Sequence, residues 1–162
     1  MIIKTDITDG RINEEDPHVV VWDEKYNTGI QLIDFQHKKL VDLIDELYHA
    51  CFTGQSAEAV FKETMSRMVD YVHFHFSAEQ ELLKRIGYPE YHEHKRQHDT
   101  LINDIFHAAK DYEEGKKFVP NAFVRTLKDW VLSHIAVYDK NFALYIAAQK
   151  RKGLLTDEEL IT

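Results

Sequence analysis

Apolar residues return at three- and four-residue steps along four stretches of this chain, the period of helices that each bury one face. The first stretch predicts a helix from near Ile30 to Phe52, with Ile33, Leu40, Val41, Ile44, Leu47 and Tyr48 on its stripe and Gly54 ending it. The second predicts a helix from about Ala57 to Ile86, with Val60, Phe61, Met65, Met68, Val72, Leu82 and Leu83 on or beside one face. The Gly87-Tyr88-Pro89 corner stops it. A third is expected to begin near Pro89 or Glu90, since proline suits a first helical turn. It carries Leu101, Ile102, Ile105 and Ala109 and frays into Glu113-Glu114-Gly115. The fourth starts near Pro120 and carries Phe123, Leu127, Trp130, Val131, Tyr138 and Phe142 before Gly153. No stretch reads as a β-strand. Four long helices with short links imply an all-α, antiparallel up-down-up-down four-helix bundle. Residues 1 to about 27 lack a helical period, are punctuated by Gly10 and Pro17, and read as an extended N-terminal arm. The expected organisation is an arm over 1–21, the bundle over 22–150 and a tail over 151–162, whose Leu154–Thr162 stretch adds a short turn.

Polar residues interrupt these apolar stripes at telling positions. His37 falls on the first, His75 and Glu79 on the second, His94 and His98 on the third, and His134 with Asp139 on the fourth. Residues four apart on a helix are neighbours on one face, so His75 with Glu79, and His94 with His98, each reach one point. Burying an unpaired imidazole costs free energy, so a core histidine hydrogen-bonds or binds something. A lone histidine on an apolar stripe is usually a satisfied core residue, and one His-x-x-x-His pair is as often surface decoration. The combination shifts the balance, because all seven would otherwise line the bundle interior without purpose. Imidazole and carboxylate together suit iron, zinc or manganese, and seven ligands are too many for one tetrahedral ion. The count points to two neighbouring ions with shared bridging oxygens. Asp139 is the awkward member: five positions after His134, an ideal helix turns it about 140° away. A π-bulge or distorted turn between the two is therefore expected, and such bulges favour functional sites.

The other histidines, His18, His49, His73, His92 and His107, are expected at the surface, off the ligand stripes or without a ligand-spaced partner. Phe35, Phe74, Phe76 and Tyr71 are expected to line the core and the pocket. Cys51 reads as a small apolar filler at the end of the first helix.

Composition narrows the function classes. A formal charge of −8 with no dense Lys/Arg stripe argues against nucleic acid and anionic membranes as partners. No stretch approaches the roughly 20 apolar residues of a membrane span. The first twenty residues hold Asp6, Asp9, Glu14, Glu15 and Asp16 and no apolar run of signal-peptide length, which argues against export. A single cysteine forms no internal disulfide and fits a reducing, cytoplasmic setting.

The chain resembles bacterial hemerythrins. The matching stretches are Trp22 through His37 (WDEKYNTGIQLIDFQH), His75-Phe76-Ser77-Ala78-Glu79, Gly87-Tyr88-Pro89 followed by His94 and His98, and Trp130 through Asp139 (WVLSHIAVYD). Together they cover about residues 22–145, and both the residue types and the intervals between helices match. The resemblance implies a non-haem di-iron site that binds O2 reversibly, and a binder with at most minor oxidase or peroxidase activity, rather than an enzyme, is expected. It implies that His94, His98 and His134 hold one iron and His37 and His75 the other, which keeps an open position for O2. Glu79 and Asp139 would bridge the two irons beside an oxo or hydroxo group. A monomer or weak homo-oligomer is expected, and no protein partner is named by the sequence.

Two departures stand out. Where the family commonly has Trp-Leu ahead of the fourth-helix histidine, this chain has Trp130-Val131, so a roomier or wetter oxygen pocket is expected. Where the family often pairs two glutamates, this chain has Glu79-Gln80, and position 80 is not expected to bind metal. The leading expectation is an O2 binder for storage, delivery or sensing. One alternative is a di-iron enzyme acting on peroxide or nitric oxide. Ferritin-like di-iron proteins use paired Glu-x-x-His motifs, and here the one such spacing, Glu46 to His49, lies off the His37 stripe. The other alternative is a helical module that buffers iron or zinc.

Overall fold

Helical rods account for nearly all of the described chain. The computed structural model describes residues 18–52, 57–116 and 119–161. Helix α1 runs Gln31–Ala50, α2 Ala57–Arg85 and α3 Tyr91–Glu113. The fourth rod is α4, Pro120–His134, a π-turn, Ile135–Asp139, and α5, Lys140–Arg151. Helical dihedrals persist through both joins, at Ile135 (φ −58°, ψ −48°) and Lys140 (φ −62°, ψ −38°), so the rod is continuous. Contacts run α1 to α2, α2 to α3, α3 to α4 and α4 back to α1, which closes a ring of four rods. The connectors are too short to cross the bundle, so neighbouring rods are antiparallel. The architecture is the expected all-α up-down-up-down bundle, with no strand among the described residues.

The helix ends follow local chemistry. Gly87 (φ 65°) and Gly115 (φ 66°) terminate α2 and α3 in the left-handed region, where a side chain is strained. At each, the glycine N–H and the next N–H turn back onto the helix, Gly87 onto Lys84 and Tyr88 onto Leu83, Gly115 onto Tyr112 and Lys116 onto Asp111. These paired hydrogen bonds satisfy carbonyls that the helix end would otherwise leave unpaired. Pro120 occupies the first turn of α4, where its missing N–H costs nothing. Pro89 behaves differently from expectation: it stands in the turn two residues ahead of α3 rather than in its first turn.

From His18 to Ile30 the arm is mainly extended, with one 3-10 turn at Glu24–Tyr26. The Asp34 carboxylate fixes its junction with α1 by accepting from the Thr28 N–H (2.6 Å), the Thr28 hydroxyl (2.7 Å) and the Gly29 N–H (3.0 Å). The tail adds a 3-10 turn, Glu158–Leu160, whose Leu160 is buried.

Two apolar clusters fill the bundle. One holds Leu40, Ile44, Leu47, Met68, Val72, Phe76, Leu101, Leu127 and Val131. The other holds Ile33, Leu82, Leu83, Tyr88, Phe142 and Ile146. The interval between them is occupied on every rod by the polar residues of the stripes: His37 follows Ile33, Glu79 precedes Leu82, His98 precedes Leu101, and Asp139 precedes Phe142. A polar layer is thus sealed on both sides by hydrocarbon. The expected stripe residues of α1 are all buried, whereas Val60 on α2 lies at the solvent edge.

Candidate metal centre

All seven predicted ligands meet in this layer, each between 0% and 5% exposed. His37 comes from α1, His75 and Glu79 from α2, His94 and His98 from α3, His134 from the last turn of α4, and Asp139 from the end of the π-turn. The π-turn answers the phase problem posed by Asp139. One extra residue in the turn brings position i+5 back onto the face of position i. As a result His134 Nε2 and Asp139 Oδ1 stand 3.1 Å apart.

Ligand atoms gather in two groups that share Glu79: Glu79, His94, His98, His134 and Asp139, and His37, His75 and Glu79, each within a 4.8 Å span. The two carboxylates divide their oxygens between the groups. Glu79 Oε2 faces His94 (3.0 Å) and His98 (3.3 Å), while Oε1 faces His37 (3.5 Å) and His75 (3.7 Å). Asp139 Oδ1 faces His94 (3.4 Å) and His134 (3.1 Å), while Oδ2 faces His37 (3.1 Å). Such a pattern is what two adjacent cations, one beside three imidazoles and one beside two, would need from bridging carboxylates.

The donor set fits cations better than it fits itself. His37 Nδ1 and Nε2, Glu79 Oε1, His134 Nδ1 and both Asp139 oxygens are buried without a hydrogen-bond partner. Orphaned buried polar atoms are rare and costly in folded proteins. His37 Nε2 lies close enough to Asp139 for an ion pair, yet the two are not in hydrogen-bond geometry. His98 Nε2 and His134 Nε2 are 3.0 Å apart, two ring nitrogens aimed at one spot.

Electrostatics agree. Without metal, burial pulls His75 down to about 4, which keeps it neutral, as a ligand must be. Burial also acts to lower His37, but the Asp139 and Glu79 carboxylates beside it win and raise it to about 10, so in the metal-free layer this ring carries a proton that a metal would have to displace. Burial works against ionisation of Glu79, yet the surrounding imidazoles of His75, His37, His94 and His98 hold it well below the usual carboxylate range. Asp139 is opposed by burial and by Glu79, and is held low by His134 and His37. Two ionised carboxylates in a dry layer call for positive charge, which two cations supply.

A second layer of side chains orients the imidazoles. Gln36, itself buried, presents Oε1 3.0 Å from His75 Nδ1, which leaves Nε2 directed into the site. The Tyr71 hydroxyl donates to the Gln36 carbonyl (3.2 Å). The Gln80 amide lies 3.1 Å from His98 Nδ1. As placed, Gln80 Nε2 is the end that faces Nδ1; with His98 Nε2 engaged by metal, Nδ1 would carry the proton and the amide would turn its oxygen to accept it. Phe76 stacks on His98 at 3.6 Å and 2°, and His134 lies between Trp130 (4.7 Å, 9°) and Tyr138 (5.2 Å, 17°). Trp22 in the arm packs near His37 (6.4 Å) and donates to Asn27 Oδ1, and the Asn27 carbonyl in turn accepts from Lys140 Nζ.

Gln36 carries no chemical mark in the sequence pattern, and Gln80, not expected to bind metal, turns out to contact a ligand ring instead. Gln36 lies three after Ile33 and four before Leu40, so its place on the buried stripe was readable. Gln80 directly follows a ligand, a position that by itself signals no contact with a second imidazole. Phe76 is buried and Tyr71 half-buried, but Phe35 (58% exposed) and Phe74 (57%) point to solvent and line neither core nor pocket. Each precedes a ligand by one or two positions, and a helix turns about 100° per residue, so neither shares the ligand face. His73, His92 and His107 are exposed as expected. His18 is also exposed, whereas His49 is half-buried, and the two converge on Asp45.

Cys51 is half-buried, and its thiol donates to the Leu47 carbonyl at 3.3 Å. Burial pushes the thiol up to about 11. At pH 8 we expect a thiol-specific chromogenic disulfide to react about a hundredfold more slowly with the folded protein than with the unfolded chain. Equal rates would show an activated cysteine.

Comparison with known proteins accounts for this layout. The profile of the Hemerythrin HHE cation binding domain matches residues 28–144. The chain belongs to the hemerythrin family. It is 27% identical to the bacteriohemerythrin of Methylococcus capsulatus over 76% of this chain and 93% of that one. It is 32% identical to that of Pseudomonas aeruginosa over 76% and 78%. The wild-type hemerythrin crystal structure superposes with a TM-score of 0.71 at 27% identity, covering 77% of this chain and 95% of that one. The crystal structure of a leucine-to-phenylalanine mutant gives 0.73 at 26% identity, covering 78% and 95%. Membership of the hemerythrin family implies a di-iron centre, and the buried cluster of histidine, glutamate and aspartate is able to hold metal. Among the described residues, no helix of this hemerythrin-family chain is long and apolar enough to cross a membrane.

Proposed function

We propose that the seven buried residues hold two iron ions and that this centre binds O2 reversibly, for storage, delivery or sensing. The observation that carries the proposal is the division of both carboxylates. Each turns one oxygen toward the His94, His98, His134 side and the other toward the His37 side. His94, His98 and His134 would hold one ion and His37 and His75 the other, with Glu79 and Asp139 each offering an oxygen to both sides and an oxo or hydroxo group beside them. When bound, ferrous ions supply the electrons on which reversible O2 binding draws.

The rest is done by the protein. The His37 and His75 side offers one imidazole fewer than the other, so an ion held there would keep room for a small diatomic molecule. Gln36 keeps the His75 proton on Nδ1, so that Nε2 remains a ligand. The apolar clusters above and below keep water and protons away from the layer. Val131 is buried where the family commonly has leucine, and its smaller side chain would leave more room ahead of His134. Imidazole-rich ligation favours binding over oxygen activation, so the protein acts as a binder rather than an enzyme. A single cysteine and an acidic surface suit a cytoplasmic protein.

Metal analysis with optical spectra tests this reading. The expected result is about two irons per chain, as the ligand count requires, and a charge-transfer absorption that appears with O2 and fades under vacuum. Steady turnover of peroxide or nitric oxide with no reversible O2 band would replace the binder by an enzyme. A colourless, zinc-filled protein would replace it by a buffering module.

A further inference from the structure

We propose that His18, Asp45 and His49 form a second cation site, separate from the buried layer, which takes a divalent transition metal of the zinc type and clips the N-terminal arm to α1. One ligand atom from each residue falls within a 4.8 Å span. Asp45 Oδ2 lies 2.6 Å from His18 Nδ1 and 3.5 Å from His49 Nε2. A tetrahedral zinc ion with bonds near 2.0–2.1 Å holds neighbouring ligand atoms about 3.3 Å apart. The His49 edge, at 3.5 Å, is already close to that length, and the His18 edge would open by about 0.7 Å when the ion replaces the bridging proton.

The carboxylate is prepared for this task. The Val19 N–H donates to Asp45 Oδ1 at 2.8 Å, which leaves Oδ2 as the oxygen that faces both rings. Backbone anchoring of this kind orients a metal-ligating carboxylate. Asp45 and His49 are four apart on α1 and so share one face, while His18 arrives from 27 residues earlier in the chain. The two rings stand nearly perpendicular, at 88° with centroids 6.1 Å apart, so they approach a common point from different directions. Side-chain exposures of 53% for His18, 16% for Asp45 and 34% for His49 leave the site open to ions from solvent, with a water in the fourth position. Two nitrogens and one oxygen favour zinc, copper or nickel over magnesium or calcium.

The site is not part of the iron layer. Asp45 and His49 lie eight and twelve residues beyond His37 on the same helix, roughly 12 and 18 Å along its axis. Its reach extends there through the arm: four residues after His18, Trp22 packs against His37. Metal at the clip fastens the segment that covers one side of the buried layer.

Zinc titrated into full-length, iron-loaded protein, with total metal counted after equilibrium dialysis, tests this directly. The expected result is saturable uptake of one zinc per chain beyond the metal of the buried layer. H49A leaves the His18–Asp45 pair intact, yet it should weaken zinc binding by about tenfold or more, at least the loss that follows removal of a mere outer-shell partner. H18A should do the same, and neither should change the iron count or the helical circular dichroism. A second readout is cleavage at exposed Lys25 by trypsin, which zinc should slow in the wild type and not in H49A. No saturable uptake, or equal uptake by the wild type and both variants, overturns the proposal and leaves His18–Asp45 as a plain ion pair. Because the variants are compared with iron unchanged, loss of this site reads separately from failure of the buried one.

Discussion

Glu79→Ala is expected to drop the iron content from about two ions per chain to well under one, and to remove any O2-dependent absorption with it. Glu79 serves both sides of the layer at once, with four imidazoles within 3.7 Å of its two oxygens. Losing even an outer-shell partner costs a metal site about 10–100-fold in affinity. On the proposed assignment, losing Glu79 removes a donor from both ions and half of the buried negative charge. The helix itself should survive, because alanine is its best former. Exposed Glu81, two residues on, supplies the control: Glu81→Ala should keep the full complement. Iron assayed on the purified variants decides the point, and a Glu79→Ala protein that retains two irons would sink the bridging assignment. Glu79→Gln refines it, since it preserves volume while removing the charge.

Removing the metal should lower the melting temperature by about 8–16 °C. At free metal about 1,000-fold above its dissociation constant, binding to the folded state alone is worth about 4 kcal/mol. In a domain of this size each kcal/mol moves the midpoint by about 2–4 °C. The structural cause is visible in the unpartnered buried atoms of His37, Glu79, His134 and Asp139, which metal would engage and which the metal-free bundle must carry at a cost. Helical circular dichroism recorded on chelated, reloaded and untreated protein tests this. Reloading with ferrous iron should restore the midpoint, and superimposable melts for all three would show that the layer does not need cations to be stable.

How much of this was legible beforehand differs from residue to residue. The four rods were legible because a helix repeats its buried face every three to four residues, and Gly87 and Gly115 marked two of their ends. The π-turn was legible only through chemistry: nothing in Ile135-Ala136-Val137-Tyr138 announces it, but a ligand at His134 and another at Asp139 cannot share a face on a regular helix. Phe35 and Phe74 were misassigned because residue type was weighed above helical phase. Gln36 was overlooked although its phase was right, since an amide beside a histidine signals nothing until its oxygen is seen 3.0 Å from the His75 ring.

Along one chain, periodicity and residue type alone determined the bundle, the seven-residue constellation and the distortion ahead of Asp139. Only the packing of the rods decided which oxygen of Glu79 and of Asp139 faces which imidazoles, which amides steady the rings, and that His18 comes to rest beside Asp45 and His49. The reason is one of range. Helical phase is a local property, set within a few residues, whereas each of these pairings joins atoms on different elements. Their separation follows from how side-chain volumes fill the space between rods, and that is a property of the folded whole.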